Sequence, residues 1–202
     1  MKLSLFFALL LLCGSLWAQS TPDSSGKTSA WAHAGFGLSY AKFQNSKAGI
    51  LLGLGATLKA GGNLFSFRFN RNMELVLFRA PVGEIWTLEA LYGRSFAFST
   101  ERLIIPVLFP LGLFYKGKFD YLFNISAGFS YVEIKERTTP IEYGYFDHAY
   151  NYTKTNRYGL PIELELMNIF SNNVAVGTGI YSNFNGGKFF VGLRGNVYVG
   201  IF

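Results

Sequence analysis

The stretch "GLRGNVYVGIF", Gly192 to Phe202, carries the pattern that decides the fold. Taken in steps of two, one row is Leu193, Gly195, Val197, Val199 and Ile201, wholly apolar; the other is Gly192, Arg194, Asn196, Tyr198, Gly200 and Phe202, which is mixed. Alternation with a period of two predicts a strand with two unlike faces. What has to be decided is whether the apolar row meets a protein core or a lipid bilayer.

The same grammar runs back through the chain. Ala32, Ala34, Phe36, Leu38 and Tyr40 alternate with Trp31, His33, Gly35, Gly37 and Ser39. Ile50, Leu52, Leu54, Ala56 and Leu58 alternate with Leu51, Gly53, Gly55, Thr57 and Lys59. After a tight turn at "AGGN" (60–63), Phe65, Phe67 and Phe69 oppose Ser66, Arg68 and Asn70. Trp86, Leu88, Ala90 and Tyr92 oppose Thr87, Glu89, Leu91 and Gly93, and Tyr121 to Tyr131 repeats the pattern most clearly. Tyr158, Leu160, Ile162, Leu164 and Leu166 oppose Gly159, Pro161, Glu163, Glu165 and Met167. Turns at "SNN" (171–173) and "NGG" (185–187) bound the last two strands, which makes eight in all.

Alternating segments of about ten residues separated by turn residues predict an antiparallel eight-stranded transmembrane β-barrel, apolar outside and polar or small inside. A water-soluble sheet would carry many Lys and Glu on its second face; here that face holds Gly, Ser, Asn and single charges. Aromatic residues near the strand ends, Tyr40, Trp86, Tyr92, Tyr121, Tyr131 and Tyr158, suit the headgroup layers. A soluble periplasmic lipid-binding barrel is the competing architecture, and it would need an apolar interior.

Composition agrees. The 202 residues include 21 Phe, 12 Tyr and 23 Gly, with only 15% charged. The N-terminal "MKLSLFFALLLLCGSLWA" has a lysine, a short apolar core and a small-residue end, as a cleavable signal peptide does; residues 1–18 are assigned to it, 19–29 to a flexible periplasmic leader, and 30–202 to the barrel. Cys13, the single cysteine, falls inside the signal, so disulfide and thiolate-metal chemistry are excluded from the mature chain. Of the charged residues the signal removes Lys2 alone, leaving 17 basic side chains against 12 acidic, a balance of +5. The positive charge is dispersed, without the basic and aromatic clustering of a nucleic-acid surface.

One stretch breaks the alternation. Arg102 to Tyr115, "RLIIPVLFPLGLFY", is apolar on both faces and carries two prolines, which a helix interior does not tolerate. It fits an interfacial segment at the periplasmic rim, or a ninth strand with a partner in 141–154; ten strands is therefore the alternative count.

The inward rows contain His33, Lys59, Arg68, Glu89, Asp120, Glu163, Glu165 and Arg194. An eight-stranded interior is just wide enough for side chains to fill, and a buried charge without a partner is costly. Arg68 and Arg194 are therefore expected to pair with Glu89, Glu163 and Glu165 as a plug across the lumen; a narrow pore is the alternative. No cofactor or metal is implied. The segment from Glu136 to Asn156 reads as a long surface loop with Tyr143, Tyr145, His148, Tyr150 and Tyr152 as candidate contact residues, since tyrosine offers broad amphipathic contact area. Its ligand is not specified by the sequence.

The segments "NLFSFRFN", "EIWTLEALYGRSF", "ISAGFSYV", "YGLPIELELMN" and "GTGIYSNFN" together resemble a family of small uncharacterised outer-membrane β-barrel proteins of Gram-negative bacteria. The resemblance implies residence in the outer membrane beside lipopolysaccharide, and a structural or surface-binding role. The strand ending at Phe202 also resembles the C-terminal signal read by the outer-membrane assembly machinery, although its apolar parity is shifted by one. Some such barrels are lipid A deacylases with a Ser and His pair, for which Ser95, Ser182, His33 and His148 are the residues available here.

Overall fold

The computed structural model describes residues 28–41, 47–75, 83–102, 116–137, 152–186 and 189–202, with the backbone alone at 100–102 and 116–119. Among them are eight strands: β1 (Thr28–Ala41), β2 (Ala48–Ala60), β3 (Asn63–Glu74), β4 (Gly83–Arg102), β5 (Lys116–Arg137), β6 (Tyr152–Ile169), β7 (Val174–Phe184) and β8 (Phe189–Ile201). Each pairs antiparallel with its sequence neighbours, and β8 returns to β1 from Ala30↔Ile201 to Ala41↔Phe190, closing the barrel. Closure removes every sheet edge and satisfies the ladder internally, which is what lets a β-structure cross hydrocarbon. It also removes the ten-strand alternative: each of the eight strands already has two neighbours, so the ring is complete with eight.

Turn chemistry sets the hairpins. Gly61 and Gly62 adopt φ of +54° and +82°, the left-handed pair that a two-residue hairpin requires and that glycine adopts without a steric penalty. Between β6 and β7 the Ser171 hydroxyl accepts the backbone N–H groups of Asn173 and Val174 at 3.3 and 3.1 Å. These two short turns lie at the same end as Thr28 and Phe202 (the turn end); the connections after β1, β3, β5 and β7 lie at the other (the loop end).

Alternation along the strands maps onto exposure. Outward apolar side chains are uncovered on all eight strands, Phe129 by 77%, Phe67 by 69% and Leu88 by 60%, while their inward neighbours are buried. On β5 the apolar outward row runs from Phe123 to Tyr131; eight steps of about 3.4 Å, tilted by about 40°, cover about 21 Å, close to the roughly 25 Å apolar band of outer-membrane barrels. An apolar surface this continuous needs a non-aqueous neighbour.

Four sequence expectations are corrected in detail. β1 begins at Thr28, inside the stretch 19–29 read as a leader: Thr28 and Ser29 pair with Ala60 and Lys59. The Glu136–Asn156 loop is also shorter: the ladder continues to Arg137↔Tyr152, since the β5 and β6 backbones go on pairing after the apolar alternation has ended. Tyr121 is buried rather than headgroup-facing, its ring stacked at 5.3 Å on Phe98, its direct partner in the register. Asp120 is on the inward row but exposed at the turn-end rim, where its carboxylate accepts the Ser99 hydroxyl at 2.6 Å. The signal peptide and Tyr143, Tyr145, His148 and Tyr150 lie outside the described residues.

Candidate functional site: the layered lumen

Inward side chains sort into three layers along the barrel axis. At the loop end, Ala41, Leu51, Ile85, Val132, Ile134, Tyr181 and Phe190 form an apolar cluster. At the turn end, Trp31, Leu64, Leu122, Met167, Ala175 and Tyr198 form a second, with Ile169 and Phe202 packed against it. Arg68, Glu163, Glu165 and Arg194 sit between them, while Lys59 lies at the turn end beside Ser29 and Glu74 at the loop end beside Gly83.

The middle layer is built by strands from opposite sides of the barrel. Glu163 and Glu165, two apart on β6, share the inward face because the side-chain period is two. Arg68 on β3 reaches across and forks onto Glu165, Nη1 to Oε1 and Nη2 to Oε2 both at 3.0 Å, with Nη1 also 2.6 Å from Glu163 Oε2. Arg194 on β8 donates to Glu163 and, at 2.6 Å, to Asn70 Oδ1. Its Nη2 stands 3.8 Å from Glu165 Oε1. All four charged side chains are at most 2% exposed. In a medium of low dielectric such pairs gain from additional hydrogen bonds, and the neighbours supply some of them, while Arg68 Nε and Arg194 Nε have none among the described residues. Tyr198 OH donates to Glu165 Oε1 at 3.1 Å and Asn196 Nδ2 does so at 3.3 Å. His33 lies against this group, Nε2 3.4 Å from Arg68 Nη1, its ring 5.5 Å from that of Tyr198.

Glu89 has different partners from those the sequence suggested. It directly faces Arg68 in the β3–β4 register, yet its carboxylate takes the hydroxyls of Tyr181 and Thr87, the latter at 2.7 Å, together with Asn183 Nδ2 at 3.5 Å. The reason is curvature. Side chains on adjacent strands of a narrow barrel both aim at the axis, so Arg68 extends past its neighbour to the carboxylates opposite.

Glycine makes room for the layer. A Cβ on Gly53 would run into the Arg194 guanidinium, and one on Gly55 into the His33 ring. Small residues on β2 thus face large ones reaching in from β1 and β8. At the turn end a cavity of about 280 Å³ opens between Ser29, Lys59, Phe98, Asp120, Tyr121 and Phe202.

Among the described residues, Ser95, Ser182 and His33 do not converge into an acyl-transfer arrangement. Ser182 faces outward and donates to the Ile162 carbonyl at 3.3 Å; Ser95 is buried on β4 facing Asn124 on β5; His33 contacts Arg68 and Tyr198. The apolar clusters at both ends escaped the sequence reading, although their signal was present: the inward parity turns apolar near the strand ends, at Leu51, Ile85 and Val132 on one side and Trp31, Leu64 and Met167 on the other.

No protein-family model and no curated protein sequence matches the chain. Solved structures do. The architecture is that of the small eight-stranded outer-membrane barrels of Gram-negative bacteria. Neisserial surface protein A matches with a TM-score of 0.58 at 13% identity, covering 86% of this chain and 98% of its own. Ail, the attachment invasion locus protein of Yersinia pestis, solved in complex with the heparin analogue sucrose octasulfate, matches with a TM-score of 0.54 at 9% identity, covering 87% and 99%. At these identities the likeness is one of fold.

Proposed function

We propose that the protein is an integral outer-membrane barrel with a plugged polar lumen, and that its role is structural or surface-binding rather than transport. The observation that carries this reading is the Arg68–Glu163–Arg194–Glu165 cluster, held across the lumen between two apolar layers. Opening a water path would require breaking buried ion pairs, which costs several kcal/mol for each one left unpaired, and then parting the apolar caps. The N-terminal end faces the periplasm in this reading. β1, β3, β5 and β7 then run outward, and the β5–β6 connection with Tyr143, Tyr145, His148, Tyr150 and Tyr152 stands at the cell surface. The names of the two structural neighbours, a surface protein and an attachment protein, support a contact role for that end. The neighbouring lipid would be lipopolysaccharide, and delivery would run through the outer-membrane assembly machinery acting on the strand that ends at Phe202.

Planar-bilayer recording tests the plug. The expected trace has no steady conductance, whereas an open channel of nanosiemens scale would overturn it. Deletion of 143–151, with binding of cells to host or bacterial surfaces as the readout, tests the contact role: binding should be lost while the barrel still assembles.

A further inference from the structure

The outward face has a sharp border on β3 to β6. Phe69, Leu88, Tyr131 and Tyr158 are consecutive register partners, an apolar row across four strands. The next row toward the loop end is Arg71, Trp86, Glu133 and Asn156, and the one beyond it is Met73, Glu84, Lys135 and Lys154. Hydrocarbon contact ends and charge begins within one step of the ladder.

Two cations converge on Trp86 at this border. Arg71 Cζ is 4.8 Å and Lys135 Nζ 4.7 Å from the centre of its ring, which Phe69 also meets edge-on at 5.1 Å. Glu84 and Glu133 steady them: Arg71 donates to Glu84, and Lys135 to Glu133 at 3.1 Å. The side chains of all four are 17–39% exposed, the partial burial that snorkelling residues show at a membrane border. Lys154 directly faces Lys135 across the β5–β6 ladder and is exposed, with no acidic partner among the described residues. Like charges placed directly opposite are destabilising. Three cations against two carboxylates leave an excess positive charge beside an indole, at the height where acyl chains end and headgroups begin.

We propose that Arg71, Trp86, Lys135 and Lys154 form a site for the phosphorylated headgroup of an outer-leaflet lipid, whose acyl chains lie on the row of Phe69, Leu88, Tyr131 and Tyr158. The inference rests on the membrane reading above and adds to it a chemical class of lipid and an address. A phosphate is the fitting group. It accepts charge-assisted hydrogen bonds from several cations at once, and it relieves the Lys135–Lys154 repulsion that a neutral headgroup would leave in place. Continuity with the apolar row favours a lipid over a soluble anion.

The test uses the full mature chain in detergent, mixed with diphosphorylated lipid A or its dephosphorylated form, with retained lipid counted by native mass spectrometry. The wild type should retain the phosphorylated lipid selectively. Lys135→Ala and Lys154→Ala should each lower retention by roughly fivefold, the scale expected for one basic residue near an anionic lipid surface, while Lys154→Arg keeps it. As a second readout, Trp86 emission in a Trp31→Phe background should shift with the phosphorylated lipid and stay unchanged with inorganic phosphate. Equal retention of the two lipids, or lysine variants that retain lipid as the wild type does, would overturn the site. A Trp86 response reproduced by inorganic phosphate alone would overturn its assignment to lipid. A protein that fails to insert into bilayers would sink the membrane reading itself, a separate outcome from an inserted protein without lipid preference.

Discussion

Leu164 and Glu165 are neighbours on β6, yet they live in opposite solvents: Leu164 is 38% exposed on the outside, and Glu165 is 2% exposed within the ion-pair layer. In a water-soluble barrel the two would exchange places. The difference teaches that this sheet is organised around two dissimilar media, and that the ordinary rule of apolar inside and charged outside is inverted along the middle of every strand. The inversion has a limit: at both ends of the lumen the inward row becomes apolar again, so the charged layer lies between two apolar clusters.

Breaking the inside is expected to cost most. Glu163→Ala leaves Arg68 and Arg194 short of a carboxylate, and loss of one partner of a buried pair destabilises by about 3–5 kcal/mol; urea unfolding of vesicle-reconstituted protein measures it. The double variant Glu163→Ala with Arg194→Ala should cost less than the sum of the singles, because the sites share contacts. Next comes the outside. Phe67→Arg, in the middle of the apolar row of β3, should cost about 2–4 kcal/mol, and Met73→Arg near the loop-end border about 0–1 kcal/mol. Equal costs at the two depths would mean that no hydrocarbon surrounds the barrel. Gly53→Val presses a branched side chain into the Arg194 guanidinium; overpacking of this kind costs about 1–3 kcal/mol, and the same unfolding assay should show it. Ser182→Ala, which removes only an outward hydroxyl bonded to the Ile162 carbonyl, should stay within about 0.5 kcal/mol.

Much of this was legible in the sequence. Period-two alternation located the eight strands, and parity assigned most side chains to a face, because each strand of a membrane barrel obeys one simple rule. Charges on inward rows of a narrow barrel have nowhere to go but toward each other: of the five expected partners Arg68, Glu163, Glu165 and Arg194 meet, whereas Glu89 bonds Tyr181 and Thr87 instead. The individual partners were not legible. Arg68 and Glu89 are opposite in the β3–β4 register, yet they contact other residues, because convergence on the axis brings strands distant in sequence closer than adjacent ones. The strand extension to Arg137↔Tyr152 was hidden by the polar and turn-forming composition that follows Arg137. The border site around Trp86 was also missed. Arg71, Glu84, Trp86, Lys135 and Lys154 span more than eighty residues of chain, and only the register brings them side by side.

Phe202 shows how a terminal residue can be read in two ways. Its parity with Arg194 and Tyr198 places it on the inward row, and its ring stacks on Trp31 at 5.6 Å within the turn-end cluster. The parity shift noted in the sequence thus has a structural counterpart: the aromatic ring packs inside against the turn-end cluster while Val197, Val199 and Ile201 face outward.

The most direct test of the central claim, a barrel with lipid outside and locked charge within, is electrophoresis of the outer-membrane fraction, boiled and unboiled, probed for the mature chain. The protein is expected in that fraction, with a mobility that shifts on boiling, as a detergent-resistant closed barrel unfolds only with heat. Recovery as a soluble periplasmic protein with no heat-dependent shift would contradict it.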